Sequence, residues 1–213
     1  MQPKLSLNIG KLKLKNPVIV ASGAFGYGEE FKDFIDLKQL GAIVTKTITL
    51  NPRRGNPPPR TCETPAGMLN SIGLENPGLE VFIEEKLPIL KKIGIPIVTS
   101  IASEANPEEF VIIAKRLDKI KEIQAIELNI SCPNIKVHSS EFIVHSKKLR
   151  TKLISQDPES TYQVIKSVRK VTNKTLITKL SPNVTDITEI ALAAQNAGSD
   201  AVSLINTLTG MSI

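Results

Sequence analysis

Six short runs rich in Val and Ile constrain this chain more than any other feature: Val18–Ala21, Ala42–Thr45, Pro96–Thr99, Ala125–Leu128, Leu176–Thr178 and Ala201–Ile205. Their apolar residues are consecutive, not alternating, which is the pattern of a parallel strand buried on both faces. Between them lie segments with apolar residues at three- and four-residue spacing: Glu29–Leu37, Gly78–Ile93, Pro107–Lys119, Pro158–Val171 and Asp186–Ala197. Asn106-Pro107 and Asp157-Pro158 are helix-opening signals. Strand and helix alternate throughout, so the chain is expected to build right-handed βαβ crossovers and a parallel sheet, either closed or doubly wound.

The residue just past each run favours the closed form. Ser22, Lys46, Ser100, Asn129, Lys179 and Asn206 follow the six runs in turn, and only a barrel brings all six strand ends to one place. A doubly wound sheet would open with Gly-x-Gly-x-x-Gly after its first strand. Gly23, Gly26 and Gly28 form a looser set, read as a flexible strand-to-helix turn. The expected fold is therefore α/β, an incomplete (β/α)8 TIM barrel of five βα units plus a sixth strand, with residues 1–213 forming one partial barrel domain. Residues 1–15 precede it as a hairpin, with Leu5–Ile9 and Leu12–Leu14 folding about Gly10-Lys11. A complete barrel takes about 250 residues. The chain is accordingly expected to be a C-terminally truncated form whose first and sixth strands lack partners and whose apolar interior is open.

With 213 residues, 41% apolar and 23% charged, the composition is that of a globular domain. No run approaches the ~18 apolar residues of a membrane helix, and residues 1–15 lack a signal peptide's apolar centre, so a cytoplasmic location is expected. The net charge of +6 is spread along the chain with only 4% aromatics, which argues against nucleic acid as a partner. Cys62 and Cys132 are too few for a disulfide framework and lack metal-ligand spacing, so no metal is expected. A special role for either would be that of a reactive thiol.

Several motifs sit at these strand ends: Asn16-Pro-Val-Ile-Val-Ala-Ser-Gly23, Val44-Thr-Lys-Thr-Ile48, Glu63-Thr-Pro-Ala-Gly-Met-Leu-Asn-Ser-Ile-Gly-Leu-Glu-Asn-Pro-Gly78, Glu127-Leu-Asn-Ile-Ser-Cys-Pro-Asn134, Thr178-Lys-Leu-Ser-Pro-Asn183 and Leu204-Ile-Asn-Thr207. Together, and in this order, they resemble the class 1 dihydroorotate dehydrogenases, most of all subclass 1B. The resemblance implies FMN-dependent oxidation of dihydroorotate to orotate in pyrimidine biosynthesis. A base takes a proton from C5 while a hydride leaves C6 for the flavin.

By resemblance, Cys132 is the base. A thiol suits that task because its reference pKa of ~8.5 lies near neutrality. Lys46 matches the lysine shared by flavin and substrate carboxylate, and Asn70, Ser71, Ile72, Gly73 and Leu74 match the loop around the carboxylate and ring edge. Asn129, Asn134, Asn206 and Thr207 match polar groups lining the same pocket. Lys179 matches the lysine that stabilises the anionic reduced flavin, and Ala21, Ser22, Thr47, Ser100 and Ile205 match further flavin contacts. Subclass 1B further implies a homodimeric core and a partner subunit carrying FAD and an iron-sulfur cluster, with NAD as final acceptor.

The chain departs from the family pattern in two places. The lid at 135–157 is longer and more basic than its counterparts, lacks glycine in 136–156, and contains His138 and His145, read as solvated loop residues. The family's seventh and eighth strands, whose loops hold the flavin phosphate, are not represented. Two other readings stay open: a flavin domain like that of dihydropyrimidine dehydrogenase, and a non-catalytic or split barrel completed by a second chain.

Overall fold

The computed structural model describes residues 5–131 and 153–211. Its centre is a parallel sheet of six strands: β3 (Ile19–Val20), β4 (Ala42–Val44), β7 (Ile97–Ile101), β8 (Ile123–Asn129), β9 (Thr175–Lys179) and β10 (Ala201–Ser203). They are hydrogen-bonded in chain order, with β3 and β10 outermost. All six Val/Ile runs thus enter one sheet, in the neighbour-to-neighbour order of a curling partial TIM barrel rather than the reversed order of a doubly wound sheet.

Two apolar layers explain why the runs are continuous. On the helix side, Ile97 and Ile101 of β7 pack with Phe110, Ile113 and Leu117, residues of α3 (Glu108–Asp118). Facing the barrel interior, Val44, Val98, Ala125 and Ile177 pack with Leu12 and Leu14. Alternate residues therefore enter different cores, and both are buried. Leu12 and Leu14 lie on β2 (Leu12–Leu14), which pairs antiparallel with β1 (Leu7–Ile9). The hairpin closes the N-terminal end of the sheet. Thr175, first residue of β9, accepts from the backbone N–H groups of Lys11 at 2.9 Å and Leu12 at 3.0 Å. Burial of each leucine contributes about 1.5–3 kcal/mol, and every functional group discussed below lies at the other end.

Helix starts follow the sequence signals. Asp157 caps α4 (Pro158–Arg169) by accepting from Ser160 N–H, and Asp186 caps α5 (Ile187–Asn196) by accepting from Thr188 N–H. The segment expected to be helical over Gly78–Ile93 is α1 (Leu79–Val81), a π-helical turn (Phe82–Lys86) and α2 (Leu87–Ile93). Pro88 lacks the N–H that a regular α-helix would need there, and the chain widens in the turn before it. Gly94, at φ 77°, ends α2 in the left-handed conformation.

The helix expected over Glu29–Leu37 does not form. Two 3-10 turns, Glu29–Phe31 and Leu37–Gln39, stand in its place. Phe31 turns back to stack on Phe25, ring centroids 4.1 Å apart. Phe34 is 80% exposed, so the apolar spacing meets no surface to bury against. Asp36 then accepts from Lys38 N–H and opens the second turn. A second difference is an antiparallel hairpin, β5 (Thr61–Thr64) with β6 (Gly67–Asn70), inserted after β4 and joined through Pro65-Ala66.

Candidate active site

The C-terminal ends of the central strands and the β5–β6 hairpin enclose a cavity of about 420 Å³. Its floor and one wall carry Ser22 and Gly23 after β3, Lys46 and Thr47 after β4, Asn129 of β8 and Lys179 of β9. Asn206 and Thr207, past β10, close that side. Thr61, Asn70, Ser71, Ile72, Gly73 and Leu74 form the opposite wall.

The 70–74 wall is held from behind by the segment 53–60. Asn56 donates from its backbone N–H to Ile72 O at 3.0 Å and from Nδ2 to Ser71 O at 2.7 Å, while Arg53 Nε donates to Gly73 O at 2.6 Å. Three successive carbonyls thus point to that segment. In planar trans peptides the N–H lies opposite its carbonyl, so the N–H groups of Ile72, Gly73 and Leu74 are turned the other way. Gly73 at φ 76° and Leu74 at φ 60° supply the left-handed backbone this arrangement needs. Consecutive amides turned to one side form an anion-binding concavity.

The opposite wall is knitted by side chains. Thr47 Oγ1 lies 2.9 Å from both Ser22 Oγ and Ser100 Oγ, and accepts from Asn129 Nδ2 at 3.2 Å. Asn129 Oδ1 accepts from Ser131 Oγ at 3.0 Å and from Asn206 Nδ2 at 3.2 Å. Asn206 Nδ2 also lies 2.9 Å from Ser131 Oγ. One connected network therefore joins groups on or just past five strands, β3, β4, β7, β8 and β10, and its interior members are buried, which fixes their orientation.

Two cations border the cavity. Lys179 is buried at the end of β9, paired in register with Asn129. The Lys46 ammonium lies close to Gly23, where an added Cβ would stand 3.8 Å from Nζ. Lys46 N–H donates to Gly26 O at 2.8 Å, tying the glycine-containing segment after β3 to the end of β4.

Of the residues singled out in the sequence, Ser22, Lys46, Thr47, Asn70 to Leu74, Asn129, Lys179, Asn206 and Thr207 line this one cavity. Ser100 does not. It lies within β7, one layer beneath the cavity and behind Thr47. Ala21 and Ile205 sit beside Ser22 and Asn206 in the chain but are not among the lining residues. Cys132, Asn134 and 135–152 of the lid lie outside the described residues.

Gly23 and Thr61 line the cavity without having been singled out. A deeper group that sequence reasoning also missed is Glu127, on the inner face of β8, 3% exposed and beneath the cavity without lining it. Ser100 Oγ donates to its Oε1 at 2.8 Å. Burial pushes the Glu127 carboxyl above its ordinary range, opposed by Lys179 and by hydrogen bonds from Ser100 and Ser203. The signal was in the sequence, since a carboxylate inside a Val/Ile-type strand rarely stays buried without a reason. Among the described residues there is no cluster of His, Cys, Asp or Glu that could hold a metal, and no helix long and apolar enough to cross a membrane.

A family model described as dihydroorotate dehydrogenase matches residues 4–213. The catalytic subunit of dihydroorotate dehydrogenase B (NAD(+)) from Trichlorobacter lovleyi is 50% identical over 213 residues, covering 100% of this chain and 66% of the relative. The corresponding subunit of Thermoanaerobacter pseudethanolicus is 51% identical over 209 residues, covering 98% and 65%. That of Geotalea uraniireducens is 48% identical over 212 residues, covering 100% and 65%. The chain thus spans just under two thirds of the length of these curated relatives.

Proposed function

Because the chain belongs to the dihydroorotate dehydrogenase family, we propose that its cavity binds a flavin ring and dihydroorotate side by side for FMN-dependent oxidation to orotate, a step of pyrimidine biosynthesis carried out in the cytoplasm. The observation that carries this is the convergence of Lys46, Lys179, the 70–74 turn and the Asn129–Asn206 network on one cavity.

The donor set fits both molecules. Orotate and its dihydro form offer one carboxylate and a ring edge of alternating N–H and C=O groups. The turned amides of Ile72 to Leu74 and the Lys46 ammonium match the carboxylate, and Asn70, Asn129, Asn206 and Thr207 match the ring edge. Ser22, Thr47 and the buried Lys179 suit the polar edge of an isoalloxazine ring, with Ala21 and Ile205 at its borders. Bound there, FMN supplies a hydride acceptor. Lys179 offers a fixed positive charge where negative charge would accumulate, with no solvent to reorganise. Cys132 follows in the chain Ser131, which is anchored to Asn129 and Asn206; by the family resemblance its thiol is the base for the C5 proton, and Asn134 is a further polar partner of the substrate.

The relatives' shared name, catalytic subunit of an NAD(+) enzyme, supports a second subunit; in our reading that subunit carries FAD and an iron-sulfur cluster and joins a homodimer of this one. With 2 cysteines, this chain cannot supply the four thiolates of such a cluster itself. A carboxylate-blind site like that of dihydropyrimidine dehydrogenase is the enzymatic alternative. Calorimetric titration of the chain with orotate and with uracil separates them: the account expects orotate to bind at least tenfold more tightly, and equal affinities would contradict it.

One observation favours completion of the site by further polypeptide. Leu204, Leu208 and Met211, beside the outermost strand β10, are 66%, 68% and 89% exposed. Large apolar side chains left this exposed favour a covering surface. Co-purification of a segment supplying strand–helix units would support that arrangement.

A further inference from the structure

Glu127 lies one layer beneath the cavity and touches none of the groups proposed to meet substrate. The groups acting on it are Ser100 of β7, Lys179 of β9 and Ser203 of β10. It is joined to the cavity through hydroxyls: Ser100 Oγ at 2.8 Å, then Thr47 Oγ1 at 2.9 Å from Ser100, then Ser22 Oγ at 2.9 Å from Thr47.

Hydrogen counting restricts this chain. A hydroxyl has one hydrogen and two lone pairs. Asn129 Nδ2 occupies one lone pair of Thr47 Oγ1, so Thr47 donates to one serine and accepts from the other. If Thr47 donates to Ser100, Ser22 donates to Thr47, and the Ser100 hydrogen is free for Glu127. If Thr47 donates to Ser22, Ser100 must donate to Thr47. Glu127 then meets Ser100 only by carrying a proton itself. An ionised carboxylate accepts only, and therefore enforces the first arrangement, in which Ser22 shows lone pairs alone to the cavity.

We propose that Glu127 is a positioning residue whose protonation state sets, through Ser100 and Thr47, whether Ser22 accepts or donates a hydrogen bond at the cavity, coupling ligand binding there to one proton. This rests on the reading that the cavity holds a flavin ring. Burial, which favours the neutral acid, and Lys179, Ser100 and Ser203, which favour the carboxylate, act on Glu127 in opposition. A ligand N–H at Ser22 selects the ionised form, and a ligand carbonyl selects the protonated one.

The test uses riboflavin, which lacks the titrating phosphate of FMN, and follows its dissociation constant against pH by fluorescence. Full coupling changes affinity by about tenfold per pH unit across the coupled range, rising with pH if Ser22 meets an N–H and falling if it meets a carbonyl. Glu127→Gln removes the titrating group and Thr47→Val cuts the hydroxyl chain, so the inflection is lost in both. An inflection unchanged in either variant overturns the proposal. Failure of riboflavin to bind at all defeats the flavin reading instead, and the relay is then decided without ligand. Infrared titration of the Glu127 carboxyl, identified by its loss in Glu127→Gln, gives a midpoint that rises in Thr47→Val if the hydroxyls are coupled and stays fixed if they are not.

Discussion

Asn206, three residues past β10, places its Nδ2 3.2 Å from Asn129 Oδ1 at the end of β8, across the intervening strand β9. The contact bridges residues 77 apart in the chain, and both also meet Ser131, the residue before Cys132. An amide pair therefore fixes both one wall of the cavity and the position of Ser131, after which Cys132 follows in the chain.

Replacing Asn129 by Ala leaves Thr47, Ser131 and Asn206 each short of a partner. Stability is expected to fall by about 1–3 kcal/mol, the cost of leaving buried polar groups unpaired. A urea titration measures it, with the midpoint lowered and the slope unchanged.

Lys179 is the buried cation of the site. Lys179→Met keeps the stem and removes the charge. FMN affinity is expected to weaken about 10–100-fold, matching the ~1.5–3 kcal/mol of a charged hydrogen bond. Fluorescence titration reads the change.

Gly73 tests the amide turn. Its φ of 76° is strained for any other residue, and an added Cβ would stand 2.8 Å from Asn56 N. Gly73→Ala is expected to weaken orotate binding at least tenfold by moving the turned amides, while leaving FMN affinity within about twofold. Equal losses for both ligands would show that the change disturbs the whole cavity.

The pH dependence of folding should show two opposed contributions. Partial burial raises the pKa of Asp118, but hydrogen bonds from Thr172 and Asn173 and the charges of Lys174 and Arg169 together outweigh it, so its pKa is lowered. A lowered carboxylate pKa gives stability present above the unfolded value and lost as pH falls through the folded one. The raised Glu127 carboxyl acts oppositely: its contribution is present below the unfolded pKa and lost as pH rises through the folded one. Thermal melts across pH should therefore show Asp118→Asn flattening the acid limb and Glu127→Gln flattening the decline on the other side.

Much of this architecture is legible in the sequence because both faces of the sheet are buried. Consecutive apolar residues such as Ala42, Ile43 and Val44 are required by two separate cores, and strand-end polar groups such as Asn129 and Lys179 follow at the positions where the apolar demand stops. Elements set by tertiary contacts were hidden. Phe31, Phe34 and Leu37 have helical spacing, but Phe31 finds Phe25 and Phe34 finds solvent. The β5–β6 hairpin is mostly exposed and carries no strand-like alternation for a periodicity argument to detect. Ser100 has a polar strand-end residue's identity but lies one layer too deep, a distance set by strand length and invisible to residue type.

The visible absorption spectrum of the purified chain with FMN, before and after anaerobic addition of dihydroorotate, asks whether this cavity holds flavin and substrate together. A protein-bound flavin band that bleaches with dihydroorotate is expected, and Cys132→Ala is expected to retain the band while bleaching at least 100-fold more slowly. A bound flavin that dihydroorotate does not reduce would contradict it.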